Sequence, residues 1–247
     1  MLVGLCVGSF LNVVIWRVPQ GMSVVRPGSQ CPRCGASLHW RWNVPVLSWV
    51  ALRGRARCCG APISVRYPLV EAACGALLAT VAWRCDPALV PAYGAAAAGL
   101  LALGVIDLEH RRLPDRVLFP TALLTAAGFG AVAVSSGRTS ELLGAVLGTV
   151  IGLLAIGLIH VAQPAGMGFG DVKLAGLCGL LLGWRGALYV PVGLFAAFVA
   201  GAVVGLVLLA RGAGRRTALP FGPFLGAAAL SVALFGSPLV DAVHRLT

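Results

Sequence analysis

Two of the eight acidic residues in this chain stand where they can do chemistry. Asp171 lies in the stretch Met167-Gly168-Phe169-Gly170-Asp171-Val172-Lys173, and Asp107 closes an apolar run just before a short basic loop. A carboxylate beside a membrane span is costly unless something pairs or uses it, so each is a functional candidate. Two carboxylates within about 4 Å repel by roughly 4 kcal/mol at an effective dielectric of about 20. Such a pair shares one proton. It can deprotonate a water while protonating a scissile carbonyl, which is hydrolysis with no covalent intermediate and no cofactor. Gly168 and Gly170 lack Cβ, so the backbone there can turn sharply or admit another segment closely. Lys173, two residues beyond Asp171, does not share a helix face with it and pairs elsewhere or meets lipid. His39, His110, His160 and His244 are scattered, and the chain has no HExxH, GxSxG or Walker loop.

A second chemistry sits nearer the start. Cys31 and Cys34 have CxxC spacing, and Cys58 and Cys59 follow more than twenty residues later. Four thiolates from two such clusters can close a tetrahedral site, which makes structural Zn2+ the expected occupant. The alternative is a degenerate knuckle held by packing alone. Cys6, Cys74, Cys85 and Cys178 lie in or near apolar runs and read as packing.

The elements that must position these residues are membrane helices. Hydrophobic residues make up 59% of the chain, charged residues 11%, and the mean hydropathy is +0.92. Repeated long apolar runs then imply an all-α polytopic membrane protein. Eight spans are expected: 1–16, 67–83, 88–106, 117–134, 141–161, 172–183, 187–210 and 219–236. The first is not a cleavable signal, since it lacks a basic n-region. At about 24 Å of helix it is short for a hydrocarbon core of about 30 Å. The sixth is also short. If Trp184 marks the far interface, a full span begins near Ala165, which puts Asp171 roughly 9 Å inside the near boundary, in a wet cleft. Residues 17–66 form a polar Cys-containing segment, and residues 67–247 a seven-span membrane region.

Charge fixes the orientation. With eight spans, fifteen of the nineteen Lys and Arg residues fall in loops on one side and four on the other. The first side is cytoplasmic by the positive-inside rule, and it carries Asp107, Asp115 and Asp171. The net charge of +11 then reads as attraction to membrane lipid rather than to nucleic acid. Asp115 follows Pro114 and is expected as a helix N-cap. Glu109, His110, Arg111 and Arg112 read as an interfacial face, and Glu141 and Asp241 as surface charges. Two rival classes remain open: a transporter whose aspartates carry ions, and a non-catalytic assembly scaffold.

Six segments carry a resemblance: GSFLNVVIWRVP (8–19), CPRCG (31–35), NVPVLSWVALRGRARCCGAPISVRYPLVE (43–71), IDLEHRRLPD (106–115), GMGFGDVKLAG (166–176) and PFGPFLG (220–226). In this order on an eight-span chain they resemble the type IV prepilin peptidases (prepilin leader peptidase/N-methyltransferases), a family of GxGD-type intramembrane aspartic proteases. The resemblance implies that Asp107 and Asp171 are the catalytic pair. It implies prepilins or pseudopilins as substrates, cut on the cytoplasmic side of the bacterial plasma membrane after a glycine that ends a basic leader. It also implies methylation of the new N-terminus with S-adenosylmethionine. Family members normally have a second CxxC. Here Ala56 holds the place of its first cysteine, Cys59 that of its second, and Cys58 is displaced by two residues. Loss of methyl transfer, leaving a peptidase only, is the alternative reading. Glu71, at the end of YPLVE, is either an interfacial anchor or part of the methyl-transfer site.

Overall fold

The structure, a computed structural model, describes all residues except 32, 165, 213, 215–218 and 237–247, together with the side chain of Trp40. Part of the expected basic loop (Arg215, Arg216), Ala165, Asp241, His244 and Arg245 therefore lie outside the described residues. Among the described residues the chain is helical, with no strand and two isolated β-bridges. It forms two compact units, Met1–Trp83 and Arg84–Thr247.

In the first unit, α1 (Leu2–Arg17) and α3 (Arg66–Arg84) bracket a polar segment that holds the short α2 (Leu47–Ala51). Gly4 and Gly8 let α1 approach α3 closely: a Cβ on either would meet the Cα of Gly75 or Glu71 at 2.8 and 2.7 Å. This is the small-residue contact that membrane helices use in place of a hydrophobic driving force.

The second unit contains α4 (Val90–His110), α5 (Asp115–Ser136), α6 (Thr139–Ala162), α7 (Phe169–Gly183), α8 (Tyr189–Ala210) and α9 (Gly222–Phe235). Its centre is α7. Val172 and every residue from Leu174 to Gly183 are buried, and α5, α6, α8 and α9 all pack on this helix. Glycines set the α6–α7 distance. A Cβ on Gly148 would collide with the carbonyl of Gly179, and one on Gly152 with that of Ala175. By contrast, α6 and α8 leave long apolar faces uncovered, as lipid-facing helices do.

Among the described residues, five helical stretches are long and apolar enough to cross a membrane: Leu2–Gln20, Pro87–His110, Asp115–Ser136, Thr139–Ala162 and Tyr189–Ala210. Of the other three expected spans, α3 carries Arg66, Glu71 and Arg84, while α7 and α9 have 15 and 14 residues. The sixth run does not start near residue 165. It starts at Phe169, because Gly168 is extended (φ −73°, ψ 151°) and serves as the N-cap. Trp184 is also not an interface marker. It is buried and stacked on Phe129 of α5 at 4.4 Å between ring centroids.

Candidate functional site

The C-terminus of α4 and the N-termini of α5, α7 and α9 converge in the second unit. Asp107 sits in the last turn of α4, and its carbonyl accepts the N–H of Arg111, which ends the helix in a left-handed conformation at φ +52°. The Asp107 side chain is buried, and its Oδ2 accepts the N–H of Gly222 at 3.0 Å. Gly222 is the first residue of α9, so this N–H is one of the donors a helix leaves unsatisfied, at the positive end of its dipole. Asp171 stands in the first turn of α7 and receives the N–H of Gly168 on Oδ2 at 3.1 Å. Each carboxylate is therefore tethered through one oxygen to a backbone N–H at a helix N-terminus. Among the described residues neither Oδ1 has a hydrogen bond. The two carboxylates interact electrostatically with each other, and His160 interacts with Asp171.

Leu113, in the loop between α4 and α5, fits between the two motifs. A Cβ on Gly170 would lie 3.0 Å from its Cβ, and one on Gly222 would lie 3.3 Å from its Cδ2. Gly170 is thus glycine because another segment presses on it. Gly168 has an ordinary backbone, and nothing in the structure demands glycine there.

Lys173 does pair elsewhere. Its Nζ donates to both carboxylate oxygens of Asp115 at 2.8 and 2.9 Å and sits 5.2 Å from the ring centroid of Phe169. Asp115 is accordingly not the N-cap: Pro114 holds that position, and Asp115 opens α5 and ties it to α7. His160, read from the sequence as one of several scattered histidines, hydrogen-bonds through Nδ1 to the carbonyl of Met167 at 2.7 Å. It fastens the end of α6 to the loop that delivers Asp171.

In the first unit the cysteines lie on two turns of the same design. In one, the N–H of Cys31 donates to Ala36 and that of Gly35 to Cys31. In the other, the N–H of Ala56 donates to Ala61 and that of Gly60 to Ala56. Gly35 and Gly60 are both left-handed, at φ +71° and +67°, as such turns require of a residue without Cβ. Ala56 occupies the place of Cys31, and Cys59 that of Cys34. The missing thiol is nevertheless supplied, because Cys58 turns into the cluster. Sulfur separations are 3.8 Å for Cys31–Cys59, 3.3 Å for Cys34–Cys58 and 3.9 Å for Cys58–Cys59, and all four sulfurs lie within 4.8 Å of one another. A tetrahedron with Zn–S bonds of about 2.3 Å has edges of about 3.8 Å, so the donor set fits zinc. Backbone N–H groups of Cys34 and Arg33 hold the Cys31 thiol down to about 6, ready to ligate. The hydrogen bond to Cys34 pushes Cys58 up to about 12, so a metal would have to displace its proton.

Glu71 is no interfacial anchor. It is buried on α3 and accepts the N–H of Val46 at 2.7 Å and a hydrogen bond from Ser9.

The bacterial peptidase A24 N-terminal domain matches residues 2–85, and the type IV leader peptidase family matches residues 94–206. The prepilin leader peptidase/N-methyltransferase of Myxococcus xanthus (strain DK1622) is 46% identical over 225 residues, which cover 87% of this chain and 64% of that protein. The chain thus spans a little under two thirds of that relative's length. Proteins of the same name from Stutzerimonas stutzeri and Pseudomonas putida are 36% and 37% identical, over 97% and 96% of this chain and 90% and 89% of their own length. No solved structure matches the chain.

The Lys173–Asp115 pair is half-exposed, with side-chain exposures of 25% and 50%, so its contribution is modest. A double-mutant cycle of Lys173→Met and Asp115→Asn, read by denaturant unfolding in detergent, should give a coupling of about 0.5–1 kcal/mol. A coupling near zero would mean that the pair does not hold α5 to α7.

Proposed function

The chain belongs to the type IV leader peptidase family, and from that premise we propose that it removes the leader peptide of type IV prepilins and pseudopilins with Asp107 and Asp171 as an aspartyl dyad, and methylates the new N-terminal residue. The observation that carries the proteolytic reading is the convergence of two carboxylates, each tethered by one backbone N–H and each with its other oxygen uncommitted. A water between them loses a proton to the ionised carboxylate as its oxygen attacks the scissile carbonyl. The protonated carboxylate gives its proton to the carbonyl oxygen. When the tetrahedral intermediate collapses, the C–N bond breaks, the amine leaves with the proton taken from the water, and a hydroxyl of the intermediate returns a proton to the other carboxylate. Which aspartate starts as base belongs to the pair, whose two ionisation steps are shared. Gly222 and Gly168 fix the carboxylates so that neither must reorganise during the reaction.

The orientation follows the charge asymmetry. We take α3, α7 and α9 as spans along with the five longer helices, which places the Cys-containing segment, Asp107 and Asp171 on the cytoplasmic side of the bacterial plasma membrane. The exposed faces of α6 and α8 meet lipid, and the partners are prepilin-like precursors rather than nucleic acid.

Methylation uses S-adenosylmethionine. When bound, it would supply the methyl group to the amine nitrogen, its sulfonium becoming a thioether and the amine's surplus proton passing to solvent. Cys31, Cys34, Cys58 and Cys59 would hold a structural Zn2+, which would pin the two turns together.

Purified full-length protein incubated with a prepilin and S-adenosylmethionine should yield a pilin lacking its leader and heavier by one methyl group, as read by N-terminal mass analysis. Asp107→Asn and Asp171→Asn should each slow cleavage by at least about 10²-fold with membrane insertion intact. Normal leader removal by either variant would refute the dyad. A cleaved but unmethylated product would leave a peptidase only. Elemental analysis should find about one zinc per chain. Cys58→Ser should lose it and Ala56→Cys in that background restore it, whereas full zinc in Cys58→Ser would exclude Cys58 as a ligand.

A further inference from the structure

The peptide group between Met167 and Gly168 is held from both sides. Its carbonyl oxygen lies 2.7 Å from Nδ1 of His160, and its N–H donates to Oδ2 of Asp171 at 3.1 Å. A carbonyl oxygen only accepts, so Nδ1 carries the proton and Nε2 of the neutral ring is bare. The peptide unit is planar, so a bond made at its oxygen also fixes the direction of its N–H. The two bonds run in series from imidazole through amide to carboxylate, and each polarises the next.

Without the imidazole this amide has an alternative. Rotating its plane would turn the N–H away from Asp171 and present the carbonyl oxygen instead, which repels a carboxylate. Such a rotation carries φ of residue 168 to positive values, a region closed to most side chains and open to glycine. Gly168 stands at φ −73°, ψ 151° and can reach either orientation. The neighbouring backbone bonds do not choose between them. The N–H of Gly166 goes to the carbonyl of Gln163, and that of Asp171 to the carbonyl of Gly168, so neither engages this peptide group. His160 does engage it, from the last turn of α6, which the N–H of Gln163 closes on the carbonyl of Ile159 at 2.8 Å. Lys173, the nearby cation on α7, is committed to Asp115.

We infer that His160 is a positioning residue for leader cleavage, locking the Met167–Gly168 peptide so that its N–H faces Asp171. It acts through the amide rather than on the substrate. The tether that holds one oxygen of Asp171 and leaves the other uncommitted is then set by a side chain on a different helix. The inference rests on the aspartyl-dyad reading above and adds a residue to it.

The test uses full-length protein in detergent and a prepilin substrate. His160→Phe keeps the bulk of the ring and removes the donor, whereas His160→Asn keeps an N–H at the position of Nδ1. His160→Phe should lower kcat about tenfold or more while KM stays within about threefold of wild type. His160→Asn should recover kcat to within about threefold of wild type. Circular dichroism and gel filtration establish that the variants are folded. Equal losses in both variants would show that the ring matters and the bond does not, and would overturn the assignment. So would an unchanged kcat in His160→Phe, or a loss confined to KM. Independently of activity, nitrogen NMR of histidine-labelled wild type, at a pH where imidazole is neutral, should show His160 protonated on Nδ1 and bare on Nε2, with His160→Asn identifying the signal. The opposite tautomer would overturn the assignment. Cleavage by wild type and none by Asp171→Asn would uphold the dyad reading whatever the His160 variants do. A wild type that cleaves no prepilin would overturn that reading and the role of His160 with it.

Discussion

The hydrogen bond from Gly222 to Asp107 is the contact on which the arrangement of the second unit turns. It joins the end of α4 to the start of α9 across more than a hundred residues of chain, at 3.0 Å. A buried carboxylate needs donors, and a helix N-terminus supplies them without introducing a second charge. The contact also requires glycine, since a Cβ on residue 222 would lie 2.7 Å from the carboxylate oxygen it serves. Leu113 then fills the space between Gly222 and Gly170, which brings the first turn of α7, and with it Asp171, to the same place. The approach of Asp107 and Asp171 is therefore a consequence of helix ends meeting, with glycine at positions 170 and 222 where neighbouring side chains press closest.

The first unit solves a different problem, that of ordering a polar segment with almost no hydrophobic core of its own. Two repeated turns bring four sulfurs together, and the second turn has shifted its contribution from the position of Ala56 to Cys58 without losing the cluster. An adjacent Cys58–Cys59 pair is an awkward chelate by sequence spacing. Here the two sulfurs sit 3.9 Å apart, and both lie within 4.8 Å of the other two. The two turns thus form one structural unit around the sulfur cluster.

Much of the helical layout was legible in the sequence, because apolar runs bounded by Pro, Gly and charge mark helix ends well. The expected run 141–161 appears as Thr139–Ala162, and 117–134 as Asp115–Ser136. The sixth run was misread because a full membrane thickness was imposed on a helix that is instead buried by its neighbours and can be short. Asp107 and Asp171 were legible as candidates from their rarity beside apolar runs. What brings them together was not. Gly222 acts through an N–H on a side chain far away in sequence, and its only trace is a glycine between aromatic residues in PFGPF. Lys173 showed by its spacing which residue it does not pair with, but Asp115 emerged as its partner only when α5 met α7. The glycines of the α6–α7 contact looked like ordinary membrane composition until each was seen against a facing carbonyl.

The central claim is that Asp107 and Asp171 act as one unit. It is tested most directly by comparing single-turnover prepilin cleavage by Asp107→Asn, Asp171→Asn and the double variant, all purified and folded. Residues that share one proton and one water lose their function together, so the same residual rate is expected in all three, within about threefold. A double variant slower than either single by the product of their separate losses would show two independent contributions and contradict the dyad.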